Sequence, residues 1–393
     1  MFLWTSEAVS KGHPDKVADQ IADSVLDAYL EVDPLERVAC EVTCCKELVL
    51  VTGEVSSRKK VDVEKIVRQR LIDIGYDRPA HSYDGHTVRI LDHINRQSDQ
   101  IAAAVSKADG EIGAGDQGIM FGYACHEAAA PSMLASGVRA FMPLAHHLAF
   151  RVINALEADR ASLGNSPLLP DAKSQITIAY EEDGLPSYID TVLVSTQHKD
   201  GMTEGDLYGY LENLVKPLLL ESYPQMVTPQ TKWLYNPAGL WTLGGPAADT
   251  GLSGRKIVVD NYGADCPIGG GSFSGKDPTK VDRSAAYAAR HVAKNIVAAD
   301  LAGRCQVQLS YAIGVVEPVS IRIQTFDTGV WTDERFTDLV RDTVKLSPKA
   351  IIDRFNLRRP IYAATASGGH FGREGFPWEE LDLVDVFKGR VHR

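Results

Sequence analysis

The chain has 393 residues, 44% of them apolar and 24% charged, an ordinary globular balance in a protein too long for one core, since single hydrophobic cores stop growing at roughly 250–300 residues. Its 52 acidic against 41 basic residues give a formal net charge of −11, which argues against a nucleic-acid partner while leaving room for a local cationic pocket. The six cysteines form no C-x-x-C pair, the N-terminus lacks a basic and then apolar leader, and no apolar run approaches the roughly 20 residues of a membrane span, so zinc, secreted-disulfide and membrane classes are set aside and a reduced, cytosolic protein is expected.

In chain order, Gly12-His13-Pro14-Asp15-Lys16 opens the first helix. Proline suits the first helical position and leaves His13 at the cap, where free N–H groups and the positive dipole end favour an anion. A His, an Asp and a Lys there can polarise a leaving oxygen and hold a metal, although plain capping explains the same residues. Val17, Ile21, Val25 and Tyr29, spaced by four, predict a helix over about residues 14–30. Asp15, Asp19, Asp23 and Asp27 share one face at the same spacing and read as a solvated stripe, with Asp15 alone near enough to the helix start for chemistry.

Two apolar runs, Val38 to Cys45 and Leu48 to Ser56 about the Lys46-Glu47 turn, predict a hairpin. Val63, Ile66, Val67, Leu71 and Ile74 predict a second helix ending at Gly75. The stretch from Arg96 to Gly118, rich in Ser, Asp, Ala and Gly, reads as either a functional lid or a linker. Gly113 to Gly118 places three glycines around Asp116, a turn or a point of close ligand approach.

A helix is expected from about Val138 to Arg160, a strand from Gln175 to Tyr180, a turn at Asp183-Gly184, a returning strand from Tyr188 to Thr196 and a helix from about Glu204 to Leu220. Asp171-Ala172-Lys173 lies at the expected strand entrance, where Lys173 either points at a phosphate or is simply solvated. The segment from Gly244 to Asp282 carries a stronger signal. It holds Gly244-Gly245-Pro246, Asp249, Gly254-Arg255-Lys256, an expected strand Ile257-Val258-Val259, then Gly269 to Asp277. Glycines expose backbone N–H groups while Arg255, Lys256, Lys276 and Lys280 add charge, which is how a polyphosphate is cradled. Asp15 and Asp282 are the carboxylates suited to Mg²⁺ alongside phosphate oxygens. Gly270 to Lys276 fits G-x-x-x-x-G-K, but Asp277 stands where a P-loop needs Ser or Thr and the loop does not follow a strand directly, so that motif is rejected.

A helix from Pro278 to Ala302, strands from Gln306 to Ile313 and from Val319 to Phe326, and a helix from Asp333 to Val344 complete the order. Helix, hairpin, helix thus occurs three times, predicting three similar α+β units, each a mainly antiparallel sheet with helices on one face.

These segments resemble the S-adenosylmethionine synthetase family. The resemblance is carried by Thr5-Ser6-Glu7, Gly12 to Lys16, Gly113 to Gly118, Asp171 to Ser174, Gly244 to Lys256, Gly269 to Tyr287, Tyr311 to Gly314 and Gly369 to Glu374. It implies three similar domains, expected here at 1–98, 113–230 and 231–393 with a gating loop at 99–112; the lid itself is expected from Gln97 to about Lys107. It implies attack of methionine sulfur on C5′ of ATP and later hydrolysis of the displaced triphosphate to pyrophosphate and phosphate. His13 is expected to assist departure of O5′, with Lys173, Arg255, Lys256 and Lys276 on the phosphates. Asp171, Leu240, Trp241, Asp249 and Ser272 complete the ATP site. Glu54, Gln97, Asp116, Asp249, Lys280 and Ile313 are expected around methionine. Asp15 and Asp282 are expected to hold two Mg²⁺ and Glu41 one K⁺. The family's active sites lie between the subunits of a tight dimer, and two dimers commonly form a tetramer. This chain departs from the family pattern at Gly239-Leu240-Trp241, where Gly-Arg-Phe is usual, at Gln97-Ser98-Asp99-Gln100, which lacks the expected proline, and at Ser272, where alanine is usual.

Overall fold

The computed structural model describes residues 1–57, 59–78, 83–97, 112–127, 140–162 and 164–391. Three helix–hairpin–helix passages organise it. The first is α1 (Pro14–Val32), β2 (Val38–Cys45), β3 (Leu48–Val55) and α2 (Val63–Ile74). The second is α3 (Leu144–Ser162), β6 (Leu168–Tyr180), β7 (Pro186–His198) and α4 (Glu204–Ser222). The third is α6 (Val281–Ala298), β10 (Arg304–Tyr311), β11 (Ser320–Gln324) and α7 (Asp333–Thr343). The α+β class and its threefold repetition agree with the sequence pattern. Each helix follows from its spacing: in α4, Leu207, Leu211, Val215 and Leu219 recur every four residues and are at most 2% exposed, each contributing about 1.5–3 kcal/mol by burial, while Thr203 and Asp206 close a capping box.

Each hairpin recruits strands from elsewhere. β1 (Phe2–Val9) pairs antiparallel with β6 along its whole length, and β5 (Gly118–Cys125) does the same with β10. The two-residue β9 (Gly251–Leu252) joins β2. After their helices, β4 (Arg89–Arg96) and β8 (Lys232–Tyr235) return parallel to β3 and β7. The sheets are therefore β4-β3-β2-β9, β1-β6-β7-β8 and β11-β10-β5. One core gathers α1, α2, α6 and the sheets they cover; a second lies between α3, α4 and β1-β6-β7. Two further helices, α8 (Pro348–Phe355) and α9 (Val384–Val391), follow near the C-terminus.

Several expectations change. Ile257-Val258-Val259, β-branched and so strand-like in isolation, belongs to a helical turn, α5 (Ile257–Asp260). There the Asp260 N–H donates to the Lys256 carbonyl at 2.8 Å and the Asp260 carboxylate is held by Lys16 at 2.5 Å, so tertiary bonding overrides propensity. α6 begins at Val281 rather than Pro278, because Lys280 is extended and Thr279 donates its N–H to Asp277 Oδ1. β6 begins at Leu168, so Lys173 lies within the strand and not at its entrance. Of the expected Val138–Arg160 helix, residues 138–139 lie outside the described residues, as do 98–107 of the expected lid.

Candidate active site

The first neighbourhood forms where the α1 N-terminus meets the loop between β9 and α5. His13 is the N-cap, and its Nδ1 accepts the Asp15 N–H at 3.2 Å, which places the ring proton of the neutral imidazole on Nε2. Burial pushes the His13 pKa down to about 3, and the Lys256 and Lys173 ammonium groups add to the fall. The ring is therefore neutral near pH 7 and offers an N–H, not an imidazolium. Asp15 Oδ1 accepts the Leu252 N–H at 3.0 Å, Oδ2 lies 2.5 Å from Lys256 Nζ, and Arg255 Nε stands 3.6 Å from Oδ1. Burial alone would raise this carboxyl, but the Lys256 bond and the Leu252 amide outweigh it and hold the pKa below the usual range.

Asp171 enters from β6. Its Oδ2 accepts the Gly245 N–H at 2.8 Å while Oδ1 is buried with no partner among the described residues. Burial raises its pKa to about 6 against the pull of the Gly245 amide and Lys173. An orphaned buried acceptor beside exposed Asp249 is a place for a donor from a ligand. The adjoining segment is tethered by the Trp241 N–H to His198 Nε2 at 2.9 Å and by Trp241 Nε1–H to the Leu243 carbonyl at 2.5 Å, leaving Leu240 exposed.

A second neighbourhood joins Lys276 Nζ to Asp282 Oδ2 at 2.7 Å. Gly271 lies against this carboxylate; a Cβ there would come within 2.1 Å of it. Gly254 has φ +73 and faces Ser272, whose Cβ a side chain at 254 would meet at 2.7 Å, so the loop tolerates only glycine at this approach. Glu41 on β2 bonds Ser253 Oγ, which ties its strand to the same loop. Lys280 is not free to reach outward: it pairs with Asp277, which also accepts the Val38 N–H at 2.8 Å. Asp277 is therefore a buried structural acceptor, which is why this loop cannot work as a P-loop.

Four of the residues expected around methionine are held by local backbone bonds. Glu54 lies next to the end of β3, and Gln97, whose N–H donates to the Val55 carbonyl at 2.8 Å, has a buried Oε1 with no partner among the described residues. Asp116 and Ile313 lie on exposed loops joined by the Ala114 N–H to the Val315 carbonyl and the Gly314 N–H to the Ala114 carbonyl.

Among those residues no three His, Cys, Asp or Glu side chains cluster to hold a metal ion. Asp15 and Asp282 each present one carboxylate paired with one lysine. That donor set fits Mg²⁺ arriving with phosphate oxygens and water, not an all-protein cage.

The acidic stripe of α1 is not solvated as its spacing suggested. Asp19 and Asp23 are fully buried and Asp27 half-buried. Asp19 accepts the Gly254 N–H at 2.9 Å, Asp23 the Gly275 N–H at 2.8 Å, and Asp27 the N–H groups of Tyr362 and Ala363 at 3.0 and 2.8 Å. Lys16 likewise turns inward to Asp19 and Asp260 and away from any ligand. These supports were missed because the i+4 period shows which face the acids share but not what covers it.

Family models match the chain in three consecutive stretches: S-adenosylmethionine synthetase, N-terminal domain, over residues 1–99; the central domain over 111–241; and the C-terminal domain over 243–380. No helix among the described residues is long and apolar enough to cross a membrane.

Proposed function

The chain belongs to the S-adenosylmethionine synthetase family, which implies synthesis of S-adenosylmethionine from ATP and methionine, and from that premise we propose how its residues perform the reaction. Methionine sulfur attacks C5′ of ATP. The S–C5′ bond forms, the C5′–O5′ bond breaks, and its electron pair leaves on the triphosphate. His13 donates its Nε2–H to the departing oxygen. Lys173, Arg255, Lys256 and Lys276 stabilise the developing anion, aided by backbone N–H groups of the glycine-rich loops. Water then cleaves the bound triphosphate to pyrophosphate and phosphate.

Asp15 and Asp282 would hold two Mg²⁺ and Glu41 one K⁺, and such ions would neutralise phosphate charge as it develops. Asp171 and Asp249 face the nucleoside, with Leu240, Trp241 and Ser272 along its path; Trp241 offers a ring for adenine to stack on. Glu54, Gln97, Asp116, Asp249, Lys280 and Ile313 receive methionine, Lys280 after exchanging Asp277 for the substrate carboxylate. We place the site between two copies in a tight dimer that pairs into a tetramer. Exposed Leu252, Val258, Ile119 and Ile313 flank the charged residues, and a second copy covering them would exclude water from the reacting atoms. We place the protein in the cytoplasm, and the units at 1–98, 113–230 and 231–393 with a gating loop at 99–112.

The observation that carries this reading is a neutral, donor-ready His13 among Lys256, Lys173 and Arg255 at a helix N-terminus. The test is incubation with ATP, methionine, Mg²⁺ and K⁺. A 5′-sulfonium nucleoside with equimolar pyrophosphate and phosphate is expected; ADP as the nucleotide product would refute the reading.

A further inference from the structure

Lys16 follows Asp15 directly but serves a different purpose. Its side chain is 2% exposed. Its Nζ donates to Asp19 Oδ2 at 2.9 Å and to Asp260 Oδ1 at 2.5 Å. Asp19, in turn, accepts the Gly254 N–H on its other oxygen at 2.9 Å. One buried ammonium thus fixes both ends of the segment 254–260, and Arg255 and Lys256 lie between those ends.

The segment has little slack. The Asp260 N–H donates to the Lys256 carbonyl at 2.8 Å, and the N–H of fully buried His370 donates to the Asp260 carbonyl at 3.1 Å, closing the far side. Two carboxylates around one ammonium are a poor route to stability, because desolvation consumes most of the attraction. What the arrangement supplies is geometry: two short charge-assisted bonds that set where a seven-residue arc can sit. A cation displaced by even an ångström from a phosphate oxygen loses much of its effect on the departing anion.

We propose that Lys16, Asp19 and Asp260 are positioning residues that aim Arg255 and Lys256 at the phosphate chain. The inference rests on the reading that these two cations hold the triphosphate. The experiment is a double-mutant cycle on the full chain, with Mg²⁺-tripolyphosphate affinity measured by calorimetry and folding checked by near-UV circular dichroism. Arg255→Ala/Lys256→Ala is expected to weaken binding about 100-fold, and Asp260→Asn about tenfold in the otherwise native chain but less than about twofold where both cations are already gone. Asp19→Asn supplies the same cycle from the other end of the segment. An Asp260→Asn loss of equal size in both backgrounds, or no loss in either, would overturn the proposal. So would failure of both Asp260→Asn and Asp19→Asn to fold, which would make the trio a stability element. If the native chain ignores tripolyphosphate, or binds it equally without Arg255 and Lys256, the functional reading falls instead.

Discussion

Two of the carboxylate–cation pairs on helix α1, two turns apart, differ in what surrounds them. Asp23 and Arg283 are both 0% exposed; the guanidinium grips both carboxylate oxygens at 2.7 and 2.8 Å and also donates to Thr365 Oγ1 at 2.9 Å. Asp15 is equally sheltered, but its partners Lys256 and Arg255 are 19% and 53% exposed. At Asp23 the protein meets every demand with its own atoms. At Asp15 it leaves cations that a ligand can take over. The same residue type on the same face therefore has an enclosed partner at one position and a partner open to a ligand at the other.

The sharpest way to break this comparison is to neutralise each acid. Asp15→Asn keeps an acceptor for Leu252 and should lower adenosyl transfer about 10³-fold, or about 4 kcal/mol in the barrier, with a stability change near 1 kcal/mol. Asp23→Ala should do the reverse, stranding Arg283 in the core at a cost of about 3–5 kcal/mol, seen as loss of the cooperative melting transition. Equal melting of the two variants would abolish the distinction.

Asp171 sharpens the same contrast, because an orphaned oxygen in a site costs stability. Its pKa is raised from 3.8 to about 6, so its contribution is favourable below about pH 4 and is lost as pH rises through about 6. Asp171→Asn should raise stability by as much as about 3 kcal/mol at neutral pH, a gain that vanishes at pH 4, while nucleotide affinity falls. Thermal melts at the two pH values check it; a gain independent of pH would contradict the burial argument.

His13→Ala should nearly abolish adenosyl transfer while added tripolyphosphate is still hydrolysed; equal loss of both would remove His13 from its assigned role. Because its pKa lies at about 3 rather than 6.5, His13 should contribute no limb to the pH–rate profile between about pH 5 and 9. The unfolded chain takes up that proton below about pH 6.5, so acid should erode stability through this residue. The smallest effect is expected at the half-open Lys276–Asp282 pair, where Lys276→Met should move stability by less than about 1 kcal/mol yet weaken triphosphate binding.

The sequence showed its repeated hairpins because alternation is local: Val38, Cys40, Val42 and Cys44 declare their buried face without reference to any partner. β1, β5 and β9 were not legible, because their partners lie more than a hundred residues away, as Phe2 does from Tyr180. The cationic loop was legible from residue type, since Arg255, Lys256 and Lys276 stand among glycines in an acidic chain. The roles of Lys16 and Asp19 were not, because burial of a charge depends on a segment folding over it from residues 252–260. Ile257 to Val259 failed for the same reason: a tertiary ion pair, and not the residues' own preference, decides their conformation.

The central claim is that the whole triphosphate leaves C5′ before it is cut. A single-turnover quench with ATP labelled in its phosphates tests this most directly. Tripolyphosphate should appear together with the sulfonium product and decay into pyrophosphate and phosphate. Labelled phosphate or ADP appearing before any C5′–O5′ cleavage would contradict the account.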